Sequence, residues 1–422
     1  MANTFYSAFD EERLSPAAAP AGDTRSAFET DRDRIIHSSA FRRLQSKTQV
    51  FLSGEYDFYR TRLTHSIEVA QIGRSICRHL ERTSPLLGPD FHIDADLVEA
   101  VCLAHDLGHP PFGHTGERAL NRLMAAYGGF EGNAQTLRLV SGTLYQGTRG
   151  MNPTRAFADG ILKYKTLRGE LPAEPPPENH FLYDDQASVL DFAMGGRDFP
   201  AELTPGDTRN AFRSIECQIM DWADDTAYSL HDLIDGIHAG FLTRTSIEKW
   251  ASGLTDSHET AAIEYLLAAI ADGKVESRLE RRIGAFIRAT TLEQTSCFLS
   301  PPTHRHAFRL VIDPAAAVEC ATFKRLALEQ VFLSHQLKQL EYKGERMLTE
   351  MFRIIAGQYL ERSSPRFQLL PPASAEMIAA APDIATRARL LCDYLAGMSD
   401  GFAARTYKRL TDPDFGSIVD LV

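Results

Sequence analysis

Several features that would set this chain apart from ordinary globular proteins are missing. Its six cysteines include no Cys-x-x-Cys pair, which favours reduced thiols in a core over a disulfide framework. No apolar run approaches the roughly 20 residues of a membrane span. The first residues show no basic-then-apolar signal pattern either. We therefore expect a soluble cytoplasmic protein that has no membrane partner.

An excess of positive charge is missing as well. The formal net charge is −11, which argues against non-specific nucleic-acid binding by the surface as a whole. One segment departs from this balance, because residues 32–62 hold seven basic residues and three acids. The basic residues are Arg32, Arg34, Arg42, Arg43, Lys47, Arg60 and Arg62. A small polyanion could dock there, and a solvated helix face explains the composition equally well.

Strand signals are sparse, and the chain has no βαβ rhythm and no internal repeat. Apolar residues recur at helical spacing through most of the sequence. This pattern predicts a mostly α protein with at most a short β-hairpin, near 48–58 or 305–312. The predicted helices cover about 31–47, 62–80, 94–104, 118–127, 213–239, 259–271, 281–292, 321–352 and 387–409.

The expected organisation is one large helical domain over residues 31–422, which follows a loosely structured segment at 1–30. Its core is expected to cover about 60–240, and further helices about 320–422. Residues 165–212 are rich in proline and glycine and are interpreted as an irregular insertion.

One short segment is dense in side chains that carry chemistry. It places three histidines and two acids within thirteen residues: His105, Asp106, His109, His114 and Glu117. The prolines at 110–111 must end the preceding helix, because the residue before a proline is pushed out of the α region. A lone histidine on an apolar face is more often a hydrogen-bonded core residue, but this density favours a polar functional pocket.

Two distant residues extend the pocket into a candidate metal site. His65 lies on an apolar helix, and Asp224 shares one helix face with Tyr228 and Asp232 at spacings of four. With the 105–106 pair they offer two imidazoles and two carboxylates. Such a set suits Mn²⁺, Fe²⁺, Mg²⁺, Co²⁺ or Zn²⁺, and the sequence does not choose among them. Asp224 alone could be a solvated helix carboxylate, although its apolar neighbours argue against that.

The order of these residues resembles the HD-domain phosphohydrolases, and finer motifs resemble the deoxyguanosine-triphosphate triphosphohydrolases and related dNTPases. The matching stretches are 41–51, 62–66, 104–117, 130–135, 160–164, 220–228 and 392–400. The resemblance implies an HD-domain helical bundle. It also implies hydrolysis of a 2′-deoxynucleoside triphosphate to deoxynucleoside and tripolyphosphate.

The resemblance further implies roles for individual residues. One divalent ion per site, Mn²⁺ or Mg²⁺ foremost, would be held by His65, His105, Asp106 and Asp224. A metal-activated water would attack the α-phosphorus. The leaving 5′-oxygen needs a proton, and the remaining residues of the segment resemble the family's catalytic groups. These are His114 and Glu117 as an acid or water-positioning dyad, and His109 as an imidazole directed at the phosphates.

Seven further residues are expected to contact substrate. Arg62 would grip a phosphate oxygen with its forked guanidinium. Tyr228 resembles the ring that packs under the deoxyribose and excludes a 2′-hydroxyl. Asn133, Lys163 and Tyr164 match family positions near the triphosphate or sugar. Gln49 resembles a residue that contacts the sugar or the base. Asp232 is included because it shares a helix face with Tyr228.

Other interpretations stay open at this point. The site could act on a nucleoside monophosphate, a cyclic nucleotide or a modified dNTP, or the protein could be a non-catalytic nucleotide or single-stranded-DNA sensor. The resemblance implies a homo-oligomer, up to a hexamer, and an effector that is a dNTP or single-stranded DNA. Lys343 and Arg346 are candidates for reaching a neighbouring subunit, and a charged helix face explains them equally well. No residue selects guanine.

Overall fold

A computed structural model of the chain describes residues 3–16, 22–49, 60–145, 149–362 and 364–416. Most of this is α-helical, which confirms the mostly α prediction. The first ten helices are α1 Ala8–Glu11, α2 Ala27–Ile36, α3 Ser39–Arg43, α4 Arg62–Thr83, α5 Ala95–Ala104, α6 Gly113–Leu123, α7 Gly132–Arg138, α8 Arg155–Gly160, α9 Ala187–Met194 and α10 Asp207–Asn210. They are followed by α11 Ile215–His238, α12 Arg244–Ala251, α13 Ser257–Ala271, α14 Val275–Arg288, α15 Pro314–Ala327, α16 His335–Tyr359, α17 Pro372–Ala380, α18 Ile384–Ala396 and α19 Asp400–Thr411.

Two strands form an antiparallel pair, β1 Thr290–Gln294 and β2 Phe308–Ile312, in which Thr290 faces Ile312. The hairpin expected near 305–312 is therefore present. Its first strand was wrongly predicted as the end of a helix over 281–292. Helix α14 ends at Arg288, and the β-branched pair Thr290 and Thr291 then continues as strand. The other hairpin expected at 48–58 lies mostly outside the described residues.

The central bundle is built from α2, α4, α5 and α11, which pack against one another. Helix α4 starts at a capping box on Thr61 and buries Val69, Ile72, Ile76 and Leu80. Helix α5 is buried on nearly all sides, and each fully buried aliphatic side chain stabilises the fold by about 1.5–3 kcal/mol. These helices hold the residues of the candidate site on rigid supports.

A second apolar cluster joins α6 to the C-terminal helices. Leu120 and Met124 from the α6 end pack with Leu348 and Met351 of α16 and with Leu391 of α18. Helix α6 thus belongs to the packing unit of the C-terminal helices, although its first residues come from the histidine-rich segment.

The chain start differs from the loosely structured segment predicted over 1–30. Phe5 is fully buried and its ring lies 5.0 Å from that of Phe91. Asp10 is buried as well and accepts a hydrogen bond from Arg305. Residues 3–16 are therefore part of the packed fold, because aromatic and ionic contacts to distant parts of the chain hold them.

Two long predicted helices are each divided. The helix expected over 321–352 breaks after α15 into a π-helical turn at Leu328–Phe332, and α16 then begins after Ser334. The helix expected over 387–409 breaks at residues 397–399, where the Ser399 hydroxyl caps α19. Residues 165–212 contain α9 and α10, and Asn210 accepts hydrogen bonds from the backbone amides of Lys165 and Thr166.

Several basic residues of the 32–62 segment pair with acids of the chain itself. Arg32 contacts Asp96, and Arg60 contacts Asp235. Their charge is neutralised within the fold, which favours the structural explanation of this segment over polyanion docking. Across the described ranges, no helix is both long and apolar enough to cross a membrane.

Candidate active site

Four side chains that are far apart in the sequence meet where α4, α5 and α11 converge. His65 Nε2 lies 3.0 Å from Asp224 Oδ1. His105, which caps the C-terminus of α5, places its Nε2 3.8 Å from the same oxygen. His105 Nε2 is also 3.6 Å from Asp106 Oδ1. The structure therefore brings together all four predicted metal ligands, and we refer to them as the closed cluster.

The donor atoms of the closed cluster fit a divalent cation. Ligand atoms of His65, His105 and Asp106 all lie within 4.8 Å of one another. His105 Nδ1 is 2.6 Å from the Cys102 carbonyl oxygen, which turns Nε2 towards the cluster. Within the described chain, that buried Nε2 has no hydrogen-bond partner. A core histidine with a purely structural role has its ring nitrogens hydrogen-bonded. A buried nitrogen that faces carboxylates without such a bond suits metal ligation better.

The two carboxylates of the cluster are held in their ionised form. Burial alone would raise the pKa of Asp106, but the charges of Arg62, His105 and His109 outweigh it and place the pKa well below its ordinary value. For Asp224, burial is likewise outweighed by the hydrogen bond from His65 and by His105, so its pKa is lowered. Both groups are therefore anionic at neutral pH, as candidate metal ligands need to be.

Arg62 lies against this cluster. Its Nη1 donates to Asp106 Oδ2 at 2.6 Å, and its Nε donates to the Thr48 carbonyl oxygen at 3.0 Å. The predicted phosphate-binding guanidinium thus sits directly beside the closed cluster. In this arrangement Arg62 pairs with the Asp106 carboxylate, so only part of its guanidinium group stays available for substrate.

A second group of residues, the open cluster, consists of His109, His114 and Glu117. His109 Nδ1 lies 3.0 Å from Asp106 Oδ1, so the two clusters share an edge. His114 Nδ1 lies 3.2 Å from Glu117 Oε2, and the His114 side chain is 69% exposed. The structure brings together all three predicted catalytic residues and leaves one imidazole accessible.

Glu117 is anchored from behind by the start of α7. Its Oε1 accepts a hydrogen bond from the Gly132 amide at 2.6 Å. A Cβ at Gly132 would lie 3.0 Å from that oxygen and 3.2 Å from the His109 ring, so glycine allows the close approach. Burial would raise the pKa of Glu117, but the hydrogen bond from His114 and the charges of the two histidines lower it to about 2. The carboxylate is therefore a fixed, ionised partner for His114.

Two predicted substrate residues, Tyr228 and Tyr164, are aromatic and each stacks on a neighbouring ring. Tyr228 follows Asp224 by one turn of α11, and its ring stacks on Phe332 with centroids 5.8 Å apart and an interplanar angle of 4°. Tyr164 stacks on His180 at 4.5 Å. Both rings are held by aromatic neighbours in fixed orientations.

The remaining predicted substrate residues are less directly placed. Lys163 Nζ lies 2.9 Å from Asp221 Oδ1, and Asn133 donates to Glu131 Oε1 at 2.9 Å. Asp232 is buried, and burial raises the pKa of its carboxyl group. The Gln49 side-chain oxygen is buried without a hydrogen-bond partner among the described residues. The charge of His65 in the closed cluster acts on Asp232 in the opposite direction to burial.

Sequence reasoning assigned no role to three polar residues around the site. Glu131 lies behind Glu117, and burial together with that neighbouring charge raises its pKa to about 8. Lys47 donates to the His109 carbonyl oxygen, and Asp400 accepts from the Phe112 amide. All three lie within the family-like stretches, which is the signal that could have drawn attention to them.

Comparison with known proteins identifies two family regions in the chain. Residues 62–142 match the HD domain, and residues 310–409 match the phosphohydrolase-associated domain. A deoxyguanosinetriphosphate triphosphohydrolase-like protein of Shewanella loihica is 36% identical over 97% of this chain and 98% of its own. The chain belongs to this family of HD phosphohydrolases. A second such protein, from Deinococcus radiodurans, is 37% identical over 97% of this chain and 98% of its own.

Membership of the family makes the chain a phosphohydrolase with an HD domain, and HD domains bind divalent metals. The first matched region holds both clusters except Asp224, and the second covers most of the C-terminal helices. A solved phosphohydrolase structure from Bacteroides thetaiotaomicron aligns with 94% of this chain and 71% of its own, at 15% identity and a TM-score of 0.38. That likeness is too weak to support a conclusion.

Proposed function

We propose that the protein hydrolyses 2′-deoxynucleoside triphosphates, either dGTP or dNTPs generally, to deoxynucleoside and tripolyphosphate. The observation that carries the proposal is the shared edge between the closed cluster and the open cluster, at which His109 contacts Asp106. Relatives named as triphosphohydrolase-like proteins over nearly the whole chain support the substrate class. Cytoplasmic location, homo-oligomeric assembly and an effector response to dNTP or single-stranded DNA belong to the same proposal.

The closed cluster prepares the site for an anionic substrate. A divalent cation held by His65, His105, Asp106 and Asp224, Mn²⁺ or Mg²⁺ foremost, would supply a nucleophilic water at neutral pH and screen phosphate charge. Arg62 adds a permanent positive charge beside that position, and its free guanidinium nitrogen binds a phosphate oxygen. Substrate phosphates are thereby oriented with the α-phosphorus next to the cluster.

The open cluster provides the proton that departure of the nucleoside requires. Cleavage breaks the bond between the α-phosphorus and O5′, and O5′ must be protonated as it leaves. His114 is exposed towards the substrate side and is held at Nδ1 by the ionised Glu117, so its Nε2 is the proton-donating atom. General acid catalysis of this kind contributes typically about 10²–10⁴-fold to the rate.

Sugar recognition is assigned to the Tyr228 ring. Because Phe332 stacks on it, the ring cannot swing away to admit a larger sugar. A 2′-hydroxyl would then clash with the ring face, which makes deoxyribose the favoured substrate. Lys163, Tyr164 and Asn133 complete the proposed contacts to the triphosphate and sugar.

The deciding experiment is incubation of the purified protein with each dNTP and with Mn²⁺ or Mg²⁺, followed by chromatography of the products. Release of intact tripolyphosphate together with deoxynucleoside supports the proposal. Release of phosphate or pyrophosphate, or turnover of a monophosphate or cyclic nucleotide alone, would make it a different HD phosphohydrolase. Binding without any product would make it a sensor.

A further inference from the structure

The last family-like stretch, residues 392–400, ends at Asp400, and neither cluster contains it. We propose that Asp400 and Lys47 are positioning residues, which hold the segment from His109 to His114 and the guanidinium of Arg62 in place. The C-terminal helices would then complete an active site whose metal ligands lie elsewhere. This inference rests on the proposed function and deepens it.

The Asp400 carboxylate joins two separate segments of the site. It is buried at the first position of α19. Its Oδ1 accepts a hydrogen bond from the Phe112 amide at 3.0 Å. Its Oδ2 accepts from the Thr48 amide at 2.8 Å and also from the Thr48 hydroxyl. One side chain from the C-terminal helices therefore accepts three hydrogen bonds from the region around the candidate site.

The hydrogen bond that Asp400 accepts from the Phe112 amide affects the start of α6. Phe112 directly precedes α6 and has a left-handed backbone with φ of +64°, which is unfavourable for a residue with a side chain. The hydrogen bond from its amide to Asp400 therefore helps to keep this conformation. Gly344 of α16 packs against the same residue, because a Cβ there would lie 2.8 Å from Phe112 Cβ. Since α6 starts at Gly113, the direction of its first turn determines where His114 lies.

The hydrogen bonds that Asp400 accepts from Thr48 affect the position of Arg62. Thr48, held by Asp400, uses its carbonyl oxygen to accept a hydrogen bond from Arg62 Nε at 3.0 Å. Arg62 in turn reaches Asp106 with Nη1. Displacement of Thr48 would therefore move the guanidinium relative to the closed cluster without removing any metal ligand.

Lys47 supports the same region from the neighbouring position. Its ammonium group is buried and donates to the carbonyl oxygens of His109 and, at 3.0 Å, of Ala396. It therefore links the turn that follows the closed cluster to the C-terminus of α18. Burying an ammonium group costs free energy unless specific acceptors bind its N–H groups. The two carbonyl oxygens are such acceptors, and they fix the position of Lys47.

Docking of the C-terminal helices does not depend on these two residues. The second apolar cluster already joins α6 to α16 and α18. Asp393, on α18, accepts hydrogen bonds from Arg138 and Gln135 of α7. It is therefore the control: it is another carboxylate of the C-terminal helices, but its bonds reach α7 and not Phe112 or Thr48.

The test compares the variants Asp400→Asn and Asp393→Asn in the full-length protein, with Thr48→Val as a milder change that removes only one bond of the carboxylate. Amide hydrogen exchange over residues 108–118, Mn²⁺ affinity, kcat and KM for the dNTPs are measured. We expect Asp400→Asn to raise exchange in 108–118 and to lower kcat roughly 10- to 100-fold while Mn²⁺ affinity is retained. Thr48→Val should show the same pattern with a smaller effect. Asp393→Asn should raise exchange around α7, leave exchange over 108–118 at the wild-type level and lower kcat less than Asp400→Asn does.

Two results would overturn the inference. One is unchanged exchange over 108–118 and unchanged kcat in both Asp400→Asn and Thr48→Val. The other is an equal loss of kcat in Asp393→Asn, which would make Asp400 a general docking residue. Failure of the proposed function is recognised separately, because the wild-type protein would then release no tripolyphosphate, whereas hydrogen exchange would still show whether Asp400 holds the segment.

Discussion

The closed and the open cluster contain the same residue types, yet their surroundings differ. In the closed cluster His65, His105 and Asp106 are buried, and their donor atoms lie within 4.8 Å of one another. In the open cluster His109 and Glu117 are held by neighbours, but the His114 side chain is 69% exposed. Burial fixes the geometry of the closed cluster and neighbouring positive charges keep its carboxylates ionised, which suits a resident cation. Exposure leaves an imidazole free to meet a substrate and exchange a proton.

Removing a ligand from the closed cluster should have the largest effect. Asp106→Asn keeps the side-chain size but removes the anionic charge that Arg62 and a cation require. We expect loss of high-affinity Mn²⁺ binding and a rate decrease of at least ~10³-fold, since a bound cation supplies several kcal/mol of transition-state stabilisation. Calorimetric Mn²⁺ titration and tripolyphosphate release measure the two quantities. Normal Mn²⁺ affinity in this variant would show that the closed cluster is not the metal site.

Removing the exposed imidazole of the open cluster should slow the chemical step without weakening metal binding. His114→Ala takes away the proposed proton donor but no ligand of the closed cluster. We expect Mn²⁺ affinity to stay at the wild-type value while kcat falls about 10²–10⁴-fold. Single-turnover kinetics with saturating Mn²⁺ checks the chemical step. Unchanged turnover in this variant would remove the distinction between the two clusters.

A smaller effect is expected at the stacked pair of Tyr228 and Phe332. Phe332→Ala would remove the ring that stacks on Tyr228 and let Tyr228 tilt. We expect the preference for dNTPs over the corresponding ribonucleotides to weaken by roughly 10-fold, as for other changes of pocket shape by a few atoms. The ratio of kcat/KM for dGTP and GTP measures this. Tyr164, stacked on His180, offers a control in which loss of the neighbouring ring (His180→Ala) should leave that ratio unchanged.

A carboxyl group outside both clusters shows the opposite balance, because burial outweighs the charge of its cationic neighbour Arg305. Glu216, on the same helix as Asp224, is buried against Tyr6, and burial raises its pKa from 4.5 to about 7. Because the folded state favours the protonated form, the stability linked to this group is full below about pH 4.5. It is lost as the pH rises through 7, by up to about 3 kcal/mol.

The variant Glu216→Gln tests that contrast. It should flatten the dependence of the unfolding free energy on pH between about 5 and 8, because glutamine does not titrate. Urea denaturation at several pH values measures the effect. An equally steep pH dependence in the variant would assign the titration to another group.

Much of the site could be predicted from the residues themselves. The prolines at 110–111 required α5 to end before them, and it ends at Ala104, with His105 as its C-cap and Asp106 following. The spacing of four between Asp224 and Tyr228 placed both on one face of α11. The division of the helix predicted over 321–352 was not visible in this way, because its apolar pattern continues through the break.

Contacts between distant segments were beyond the reach of local patterns. Thr48 and Asp400 are 352 positions apart, and no periodicity links them. The buried Phe5 was hidden for the same reason, since its partners Phe91 and Phe308 are supplied by other parts of the chain.

By itself, the sequence determined that this protein is helical and which side chains are candidates for metal binding, because periodicity and helix termination are local properties. Only the tertiary structure decided which histidines are enclosed and which are exposed, and that a C-terminal carboxylate contacts the catalytic segment. Burial and charge pairing depend on neighbours from other parts of the chain, and folding alone brings those neighbours together.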